Sequence, residues 1–283
     1  MTQDDPRRGY RTLSAAAVRE MMHGHGDHKV ELVDVREREE YEVRHLPGAR
    51  TMPTSELEER LGEIRTDKHT VFYCSNGKRA ERAAAMAAEA LRLTGLYCLE
   101  GGLAAWDGAA LPGLPSLQVF DTAGSVEAVV LRAIDLEKGA ERLYAALLTH
   151  FQDTPVASTI SRLLAAEEAH ARLLHAVLTE LPGASASSFE DVYASLEGNC
   201  LESGGTFDDA LERAASISTA RPWMLLELAL EMELSAYDLY RSLAVRHHRR
   251  ALEDVLLNLA AQEKLHYRWV AEAIGRLASE RAE

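Results

Sequence analysis

The stretch Ala166-Glu167-Glu168-Ala169-His170 governs how the C-terminal half of the chain is expected to fold. It lies in a run of apolar residues with helical period, and it places Glu167 three residues before His170. Residues at positions i and i+3 share one face of a helix, so both side chains can point at the same object. Glu263 and His266 repeat this spacing in a second helical run.

Each of these Glu-x-x-His pairs follows a helical segment that carries another candidate inward-facing Glu. Glu137 lies 30 residues before Glu167, and Glu233 lies 30 residues before Glu263. The two halves are related by a constant offset of 96 residues. The sequence therefore contains one helix pair written twice.

Two helices that supply a Glu and two that supply Glu-x-x-His form the ligand set of a carboxylate-bridged di-metal centre in a four-helix bundle. Carboxylates and imidazoles suit iron or manganese. The alternative is that these residues lie on solvated helix faces, which a single copy would favour. Two copies with equal spacing favour metal binding. The predicted ligands, called the six-residue cluster below, are Glu137, Glu167, His170, Glu233, Glu263 and His266.

On these motifs, residues 124–281 resemble the rubrerythrin and ferritin-like family. The resemblance implies a non-haem site for two iron ions, with manganese possible, that reduces peroxide or oxygen. An alternative within the same fold is a protein that binds, stores or senses iron without peroxidase turnover. Two features depart from the rubrerythrins. There is no rubredoxin module with C-x-x-C pairs, which implies that electrons come from an external donor or from the sulfur-carrying domain. Ala236 stands where an additional Glu is typical.

Two tyrosines follow the ligand helices with the same repeat. Tyr144 lies seven residues after Glu137, and Tyr240 lies seven residues after Glu233, two helical turns along the same face. We expect them to donate hydrogen bonds to ligand carboxylates or to carry a radical equivalent. The alternative is that both are ordinary core aromatics.

Residues 1–112 alternate between apolar strand-like runs and helical runs. Strands are predicted at 30–35, 70–74 and 96–99, with helices between them, which indicates a doubly wound α/β domain. Residues 113–123 contain a Pro/Gly-bearing linker. Residues 124–283 are expected to form an all-α ferritin-like four-helix bundle, with a long connection at 184–220 as the single crossover.

The loop from Cys74 to Arg79 joins a predicted strand to a predicted helix. Such a loop directs backbone N–H groups and the positive end of the helix dipole at one spot, where the thiolate of Cys74 would be stabilised with help from Lys78. Gly77 permits the tight backbone path. The alternative is a buried structural cysteine at a strand end.

Residues 11–112 resemble a single rhodanese domain. The matching pieces are Asp34-Val35-Arg36, His45-Leu46-Pro47-Gly48-Ala49, the Cys74–Arg79 loop, and Leu99-Glu100-Gly101-Gly102 with Trp106. The resemblance implies that Cys74 accepts a sulfane sulfur, holds it as a persulfide, and passes it to a thiol or to cyanide. Related phosphatase loops have five residues between Cys and Arg, whereas four fit the smaller persulfide.

The resemblance also implies roles for the rest of this loop. Arg79 and Lys78 would hold an anionic donor such as thiosulfate, within a substrate-binding loop formed by Ser75, Asn76 and Gly77. Asp34 and Arg36 are expected to form a structural ion pair behind the site. Cys98 is expected in the core.

Composition limits the partners. The formal net charge is −14 and the pI about 5.3, so we expect neither nucleic acid nor a membrane as a partner. Three cysteines without a C-x-x-C pair, and an N-terminus without an apolar leader, favour a reducing cytoplasm. The apolar helical stripes predict a homodimer. A weaker metal candidate is the His23, His25 and His28 run, whereas His247 and His248 are expected in a basic helix end whose cations complement the helix dipole.

Overall fold

The computed structural model of the chain describes residues 8–24, 29–120, 124–181, 187–246 and 250–280. These residues form two compact units that divide between Leu114 and Pro115. Within the described ranges, no helix is both long enough and apolar enough to cross a bilayer. His25, His28, His247 and His248 lie outside the described residues.

The N-terminal unit is built on a parallel sheet that has five strands in the described part of the chain, in the order β1-β5-β4-β2-β3. The strands are β1 Arg11–Leu13, β2 Val30–Asp34, β3 Arg50–Thr51, β4 His69–Tyr73 and β5 Leu96–Leu99. The helices are α1 Ala15–Gly24, α2 Arg38–Val43, α3 Leu57–Arg60 and α4 Lys78–Leu91, with 3-10 turns at Leu61–Glu63 and Gly102–Ala105.

Alternate residues of the central strands face opposite sides of this sheet. Val33 and Phe72 pack into a cluster with α3 and α4, whereas Leu32 and Val71 pack with α1 and α2. Helices therefore cover both faces, which is why these strands read as continuous apolar runs. The predicted parallel α/β architecture is confirmed for this unit.

The C-terminal unit is helical. Its helices are α5 Val126–Phe151, α6 Ala157–Glu180, α7 Phe189–Ser195, α8 Phe207–Ala215, α9 Trp223–Arg246 and α10 Arg250–Glu280. The predicted cap Ser125 accepts a hydrogen bond from Ala128 N at 3.1 Å, which satisfies one free N–H at the start of α5. Helix α5 packs against α6, α9 packs against α10, and α6 also contacts α10.

Two apolar clusters fill this unit, and they set the directions of the four long helices. Helices α5 and α10 contribute first to one cluster and then to the other, and α6 and α9 contribute in the reverse order. The members of the six-residue cluster lie along each helix between these two apolar segments. The six side chains therefore form a buried polar layer between two apolar ones.

Part of the predicted 113–123 linker belongs to the packing of the helical unit. Residues Leu117–Phe120 form a 3-10 turn, and Phe120 is buried in the same apolar cluster as Val130. Arg132 Nε donates to Val119 O at 3.0 Å and fixes this turn against α5. The apolar residues at 117, 119 and 120 explain why the turn packs instead of remaining an open connection.

Candidate functional site

The loop after β4 brings Cys74 to the N-terminal end of α4. Gly77 immediately precedes the helix with φ +89°, a conformation that side-chain-bearing residues rarely adopt. The Cys74 side chain is fully buried, while Asn76 and Lys78 are exposed. The loop therefore turns its polar tips outward and keeps the sulfur inside.

A second backbone segment supports the loop from behind. Leu103 N donates to Cys74 O at 2.7 Å, and Ala104 N donates to Ser75 O at 3.0 Å. Gly102, with φ +60°, lies so close that a Cβ there would overlap Cys74 O and come within 2.8 Å of Asn76 N. Gly102 is thus required by close backbone approach, and Gly101 by its φ of +68° and the Ala105 side chain 2.7 Å from an added Cβ.

Arg79 is held by a neighbouring helix as well as by the loop. Its guanidinium donates to both Glu40 carboxylate oxygens, at 2.6 and 2.7 Å, and to Ser75 Oγ at 3.2 Å. Glu40 also accepts from Ser75 Oγ at 3.0 Å. The hydrogen bonds from Arg79 lower the pKa of Glu40 to about 2, and Glu40 raises the pKa of Arg79. This pair fixes the guanidinium near Cys74.

Asp34 and Arg36 form the expected structural pair. Arg36 donates Nε and Nη2 to the Asp34 carboxylate at 2.9 and 2.6 Å, and both side chains are buried. Cys98 lies in the core beside the loop, with its sulfur 3.7 Å from Gly77 O. Burial, with a smaller contribution from Glu81, raises the pKa of Cys98 to about 12.

The six-residue cluster converges in the helical unit. Each member is at most 4 % exposed. Two overlapping groups of ligand atoms each lie within 4.8 Å of one another. One group contains Glu137, Glu167, His170 and Glu263, and the other contains Glu167, Glu233, Glu263 and His266. Glu167 and Glu263 are common to both groups, as bridging carboxylates would be.

The tyrosines connect the two helix pairs across this layer. The Tyr144 hydroxyl donates to Glu233, and the Tyr240 hydroxyl donates to Glu137. Each tyrosine therefore binds the carboxylate of the opposite repeat, which agrees with the opposite order in which α5 and α9 pass the two apolar clusters. Burial first, and then the nearby carboxylate, raise the pKa of both tyrosines well above the ordinary value.

One family model matches residues of the N-terminal unit. The family described as "Rhodanese-like domain" matches residues 14–109. "Putative sulfurtransferase YtwF" from Bacillus subtilis is 31 % identical over 100 residues, which are 35 % of this chain and 93 % of that protein. The chain belongs to the rhodanese family through this N-terminal domain.

The chain is also similar to a second Bacillus subtilis protein and to a solved structure. "Uncharacterized protein YqhL" from Bacillus subtilis is 45 % identical over 86 residues, which are 29 % of this chain and 65 % of that protein. The crystal structure of a rhodanese-related protein from Thermoplasma volcanium is 26 % identical, with a TM-score of 0.31, and covers 36 % of this chain and 98 % of that one. The chain spans less than two thirds of YqhL, and 37 % and 31 % of two other relatives.

Opposing charges dominate the six-residue cluster. Burial raises the pKa of Glu167 well above its usual range, and Glu263 adds to the effect. Burial would lower the pKa of His170, but Glu263, Glu137 and Glu167 together outweigh it, so the pKa is raised. Glu263 has a lowered pKa despite its burial, because His170 and His266 both face it. The carboxylates thus favour the charged form of the imidazoles, which offsets part of the negative charge.

The donor set fits divalent cations. Four carboxylates and two imidazoles, all buried, are grouped so that two ions could each take one terminal Glu and one His and share two carboxylates. His170 Nδ1 lies 2.9 Å from Glu263 Oε1, and His266 Nδ1 lies 3.2 Å from Glu263 Oε2. Binding of a divalent cation by an imidazole requires its neutral form, so it competes with protonation of His170 and His266.

Two carboxylates that the motifs did not indicate lie at these sites. Glu40 is a helical residue in a charged run, and its pairing with Arg79 depends on the tertiary fold. Glu202, in the polar stretch at 197–205, is 5 % exposed, and the cluster carboxylates Glu137, Glu263 and Glu233 add to the effect of burial in raising its pKa. Neither residue carries a spacing signal in the sequence.

Proposed function

We propose that the chain is a rhodanese-type sulfurtransferase that carries sulfane sulfur as a persulfide on Cys74. The observation that carries this proposal is the position of Cys74 in the rhodanese loop, between β4 and the N-terminus of α4. The similarity to the protein named "Putative sulfurtransferase YtwF" supports the same chemistry. Thiosulfate or another sulfane-sulfur compound is the proposed donor, and a thiol or cyanide the acceptor.

The proposed reaction has two displacement steps. The Cys74 thiolate attacks the outer sulfur of thiosulfate, and the sulfur–sulfur bond breaks with its electron pair leaving on sulfite. The acceptor, a thiolate or cyanide, then attacks the terminal persulfide sulfur and releases the Cys74 thiolate. The loop N–H groups and the N-terminus of α4 favour the anion at the start and end of each step. Arg79 supplies positive charge for the donor.

The matching experiment is a thiosulfate:cyanide sulfurtransferase assay on the three single cysteine variants. Cys74→Ser should abolish thiocyanate formation, since a hydroxyl does not ionise near neutral pH. Cys98→Ser and Cys200→Ser should retain activity, because Cys98 is held as a buried thiol and Cys200 lies in the helical unit. Activity that survives in Cys74→Ser and disappears in Cys200→Ser would overturn the assignment.

We also propose that the helical unit is a ferritin-like four-helix bundle in which the six-residue cluster binds two iron ions. The two overlapping ligand groups and the buried polar layer support this proposal. When bound, iron would supply the redox chemistry for reducing peroxide or oxygen, with electrons from an external donor. The protein side chains would hold the ions, balance their charge and, through Tyr144 and Tyr240, fix Glu233 and Glu137.

The alternative is a bundle that binds, stores or senses iron without turnover, while the rhodanese domain delivers sulfur. One observation favours it: Ala236 is buried against apolar neighbours and contributes no carboxylate. Peroxide consumption by anaerobically reduced protein separates the two functions. Rapid consumption supports the peroxidase, whereas iron binding without consumption supports the alternative.

A further inference from the structure

The connection between α7 and α8, residues 196–206 and called the crossover loop here, is fixed tightly to α5. The Asp135 carboxylate accepts from Glu197 N at 3.0 Å and from Gly198 N at 2.7 Å. Arg142 donates to the carbonyl oxygens of the same two loop residues, at 2.6 and 2.8 Å. Gly139 allows the closest approach, since a Cβ there would overlap Cys200 O. The loop thus has a defined path.

This path turns the tip of the crossover loop inward. Leu201 N donates to Gly205 O at 3.0 Å, and Gly204 N donates to Leu201 O at 2.9 Å, which closes a tight turn. Leu201 and Glu202 are buried, whereas Ser203 is exposed. A polar, glycine-rich surface loop would ordinarily place its glutamate in water. Here it directs one into the protein.

Carboxylates of the six-residue cluster act on the buried Glu202 side chain. The groups that act on its carboxylate most strongly, after burial itself, are Glu137 and Glu263, and its own backbone N–H donates to it. Glu202 in turn acts on Tyr240, the tyrosine that donates to Glu137. A carboxylate buried among carboxylates is costly unless a cation complements it. The chain path gives its position: Cys200 packs against one apolar cluster, Leu201 belongs to the other, and Cys200 O lies against Gly139, two residues after Glu137. The buried Glu202, next to Leu201, therefore lies on the Glu137 side of the six-residue cluster.

We propose that Glu202 is a seventh protein ligand, which binds the metal ion held by Glu137 and His170. The inference rests on the proposed metal site. Glu202 belongs to neither group of ligand atoms in the metal-free arrangement, so its side chain rotates to reach the ion. It would break the symmetry of the repeat, because the Glu233 and His266 side has no counterpart from the crossover loop within the described residues. The two ions are then held with unequal affinity, the Glu137 side being the tighter.

The test is a titration of the full-length, metal-free chain with Co(II) under anaerobic conditions, followed by visible absorption. The wild-type protein should bind two ions in two distinguishable phases. Glu202→Gln should weaken the first phase by about 10- to 100-fold and leave the second within about twofold, which makes the phases merge. Glu197→Gln, an exposed change in the same loop, should match wild type.

A second substitution displaces the crossover loop without changing a carboxylate. Gly139→Ala should displace the Cys200 carbonyl and with it Glu202, giving the same loss in the first phase. Gly275→Ala, in α10 where nothing lies within 4 Å of an added Cβ, is its control. Helical content by circular dichroism checks folding, and Glu202→Asp, which keeps the charge but shortens the reach, replaces Glu202→Gln if that variant does not fold.

The outcomes separate the two proposals. Wild-type protein that binds no Co(II) overturns the metal site itself. Wild-type protein that binds two ions, with folded Glu202 variants that bind them with unchanged affinities, overturns the role of Glu202 and leaves the metal site standing.

Discussion

At the scale of single residues, Arg79 has a structural role through Glu40 and, in the proposed function, also binds the sulfur donor. Both of its terminal nitrogens are occupied by Glu40, and one also contacts Ser75. The side chain is still about one third exposed, at 34 %. A bound anion would therefore meet a guanidinium that is already oriented, which reduces the entropy lost on binding.

Arg79→Ala should raise the KM for thiosulfate about tenfold and lower kcat less, if the contact is equal in the ground and transition states. Arg79→Lys should have a KM between those of the wild type and Arg79→Ala, because lysine keeps the positive charge but lacks the paired donors of the guanidinium. Steady-state kinetics at several thiosulfate concentrations measures both constants. An unchanged KM with a large fall in kcat would mean that Arg79 shapes the loop and does not hold the donor.

The residues that escaped prediction share one property. Glu40 and Glu202 reach their sites through the tertiary path of the chain, one from α2 and the other from the crossover loop. The residues that were predicted, such as Cys74 and His170, carry their signal in local spacing. Sequence patterns record which face of a helix a residue occupies. They do not record which loop tip is folded inward.

At the scale of elements, the loop of Cys74 and the Gly101-Gly102 segment depend on each other. Gly102→Ala should distort the loop, since the added Cβ meets three backbone atoms and φ is +60°. We expect destabilisation of about 1–3 kcal/mol and loss of most sulfurtransferase activity. Gly62→Ala, where nothing lies within 4 Å, is the control. Thermal unfolding and the thiocyanate assay measure the two effects, and normal activity in Gly102→Ala would contradict the packing argument.

The pKa values of the Glu and His residues on the four long helices predict how metal binding depends on pH. Burial, partly offset by His266, raises the pKa of Glu233 to about 7, and carboxylates raise that of His266 to about 9 although burial opposes them. Both groups are protonated below these values, and a metal ion must displace the protons. Affinity should therefore rise between pH 6 and 9, by about tenfold per pH unit for each proton released. Mn(II) titrations at several pH values measure this, and a flat profile would argue against these ligands.

The helices were more predictable than the strands. The apolar period and the Ser125 cap locate α5, and the 30-residue spacing relates the ligand helices in pairs. Strand β1 was not predicted, because its three residues are only half-buried and its place is fixed by pairing with β5. Pairing partners of short edge strands depend on the assembled sheet and leave little local pattern.

At the scale of the whole molecule, the chain joins a rhodanese domain to a helical unit with a buried layer of Glu and His side chains. The two units have separate cores. Sulfur transfer should therefore persist when the metal ligands are removed, and metal binding should persist in Cys74→Ser. Thiocyanate assays and metal analysis on each variant test whether the two units fold and act independently. Loss of both properties from a single site variant would contradict it.

The claim that two metal ions share Glu167 and Glu263 is tested most directly by the iron content of anaerobically purified protein. Wild-type protein should contain two iron ions per chain. The double variant Glu167→Ala with Glu263→Ala should remain helical and contain no iron. It should also be more stable than the metal-free wild type, because fewer buried carboxylates repel one another. A control with two exposed changes on the same helices, Glu168→Ala and Glu272→Ala, should retain both ions. Two iron ions per chain in the Glu167 and Glu263 double variant would contradict the account.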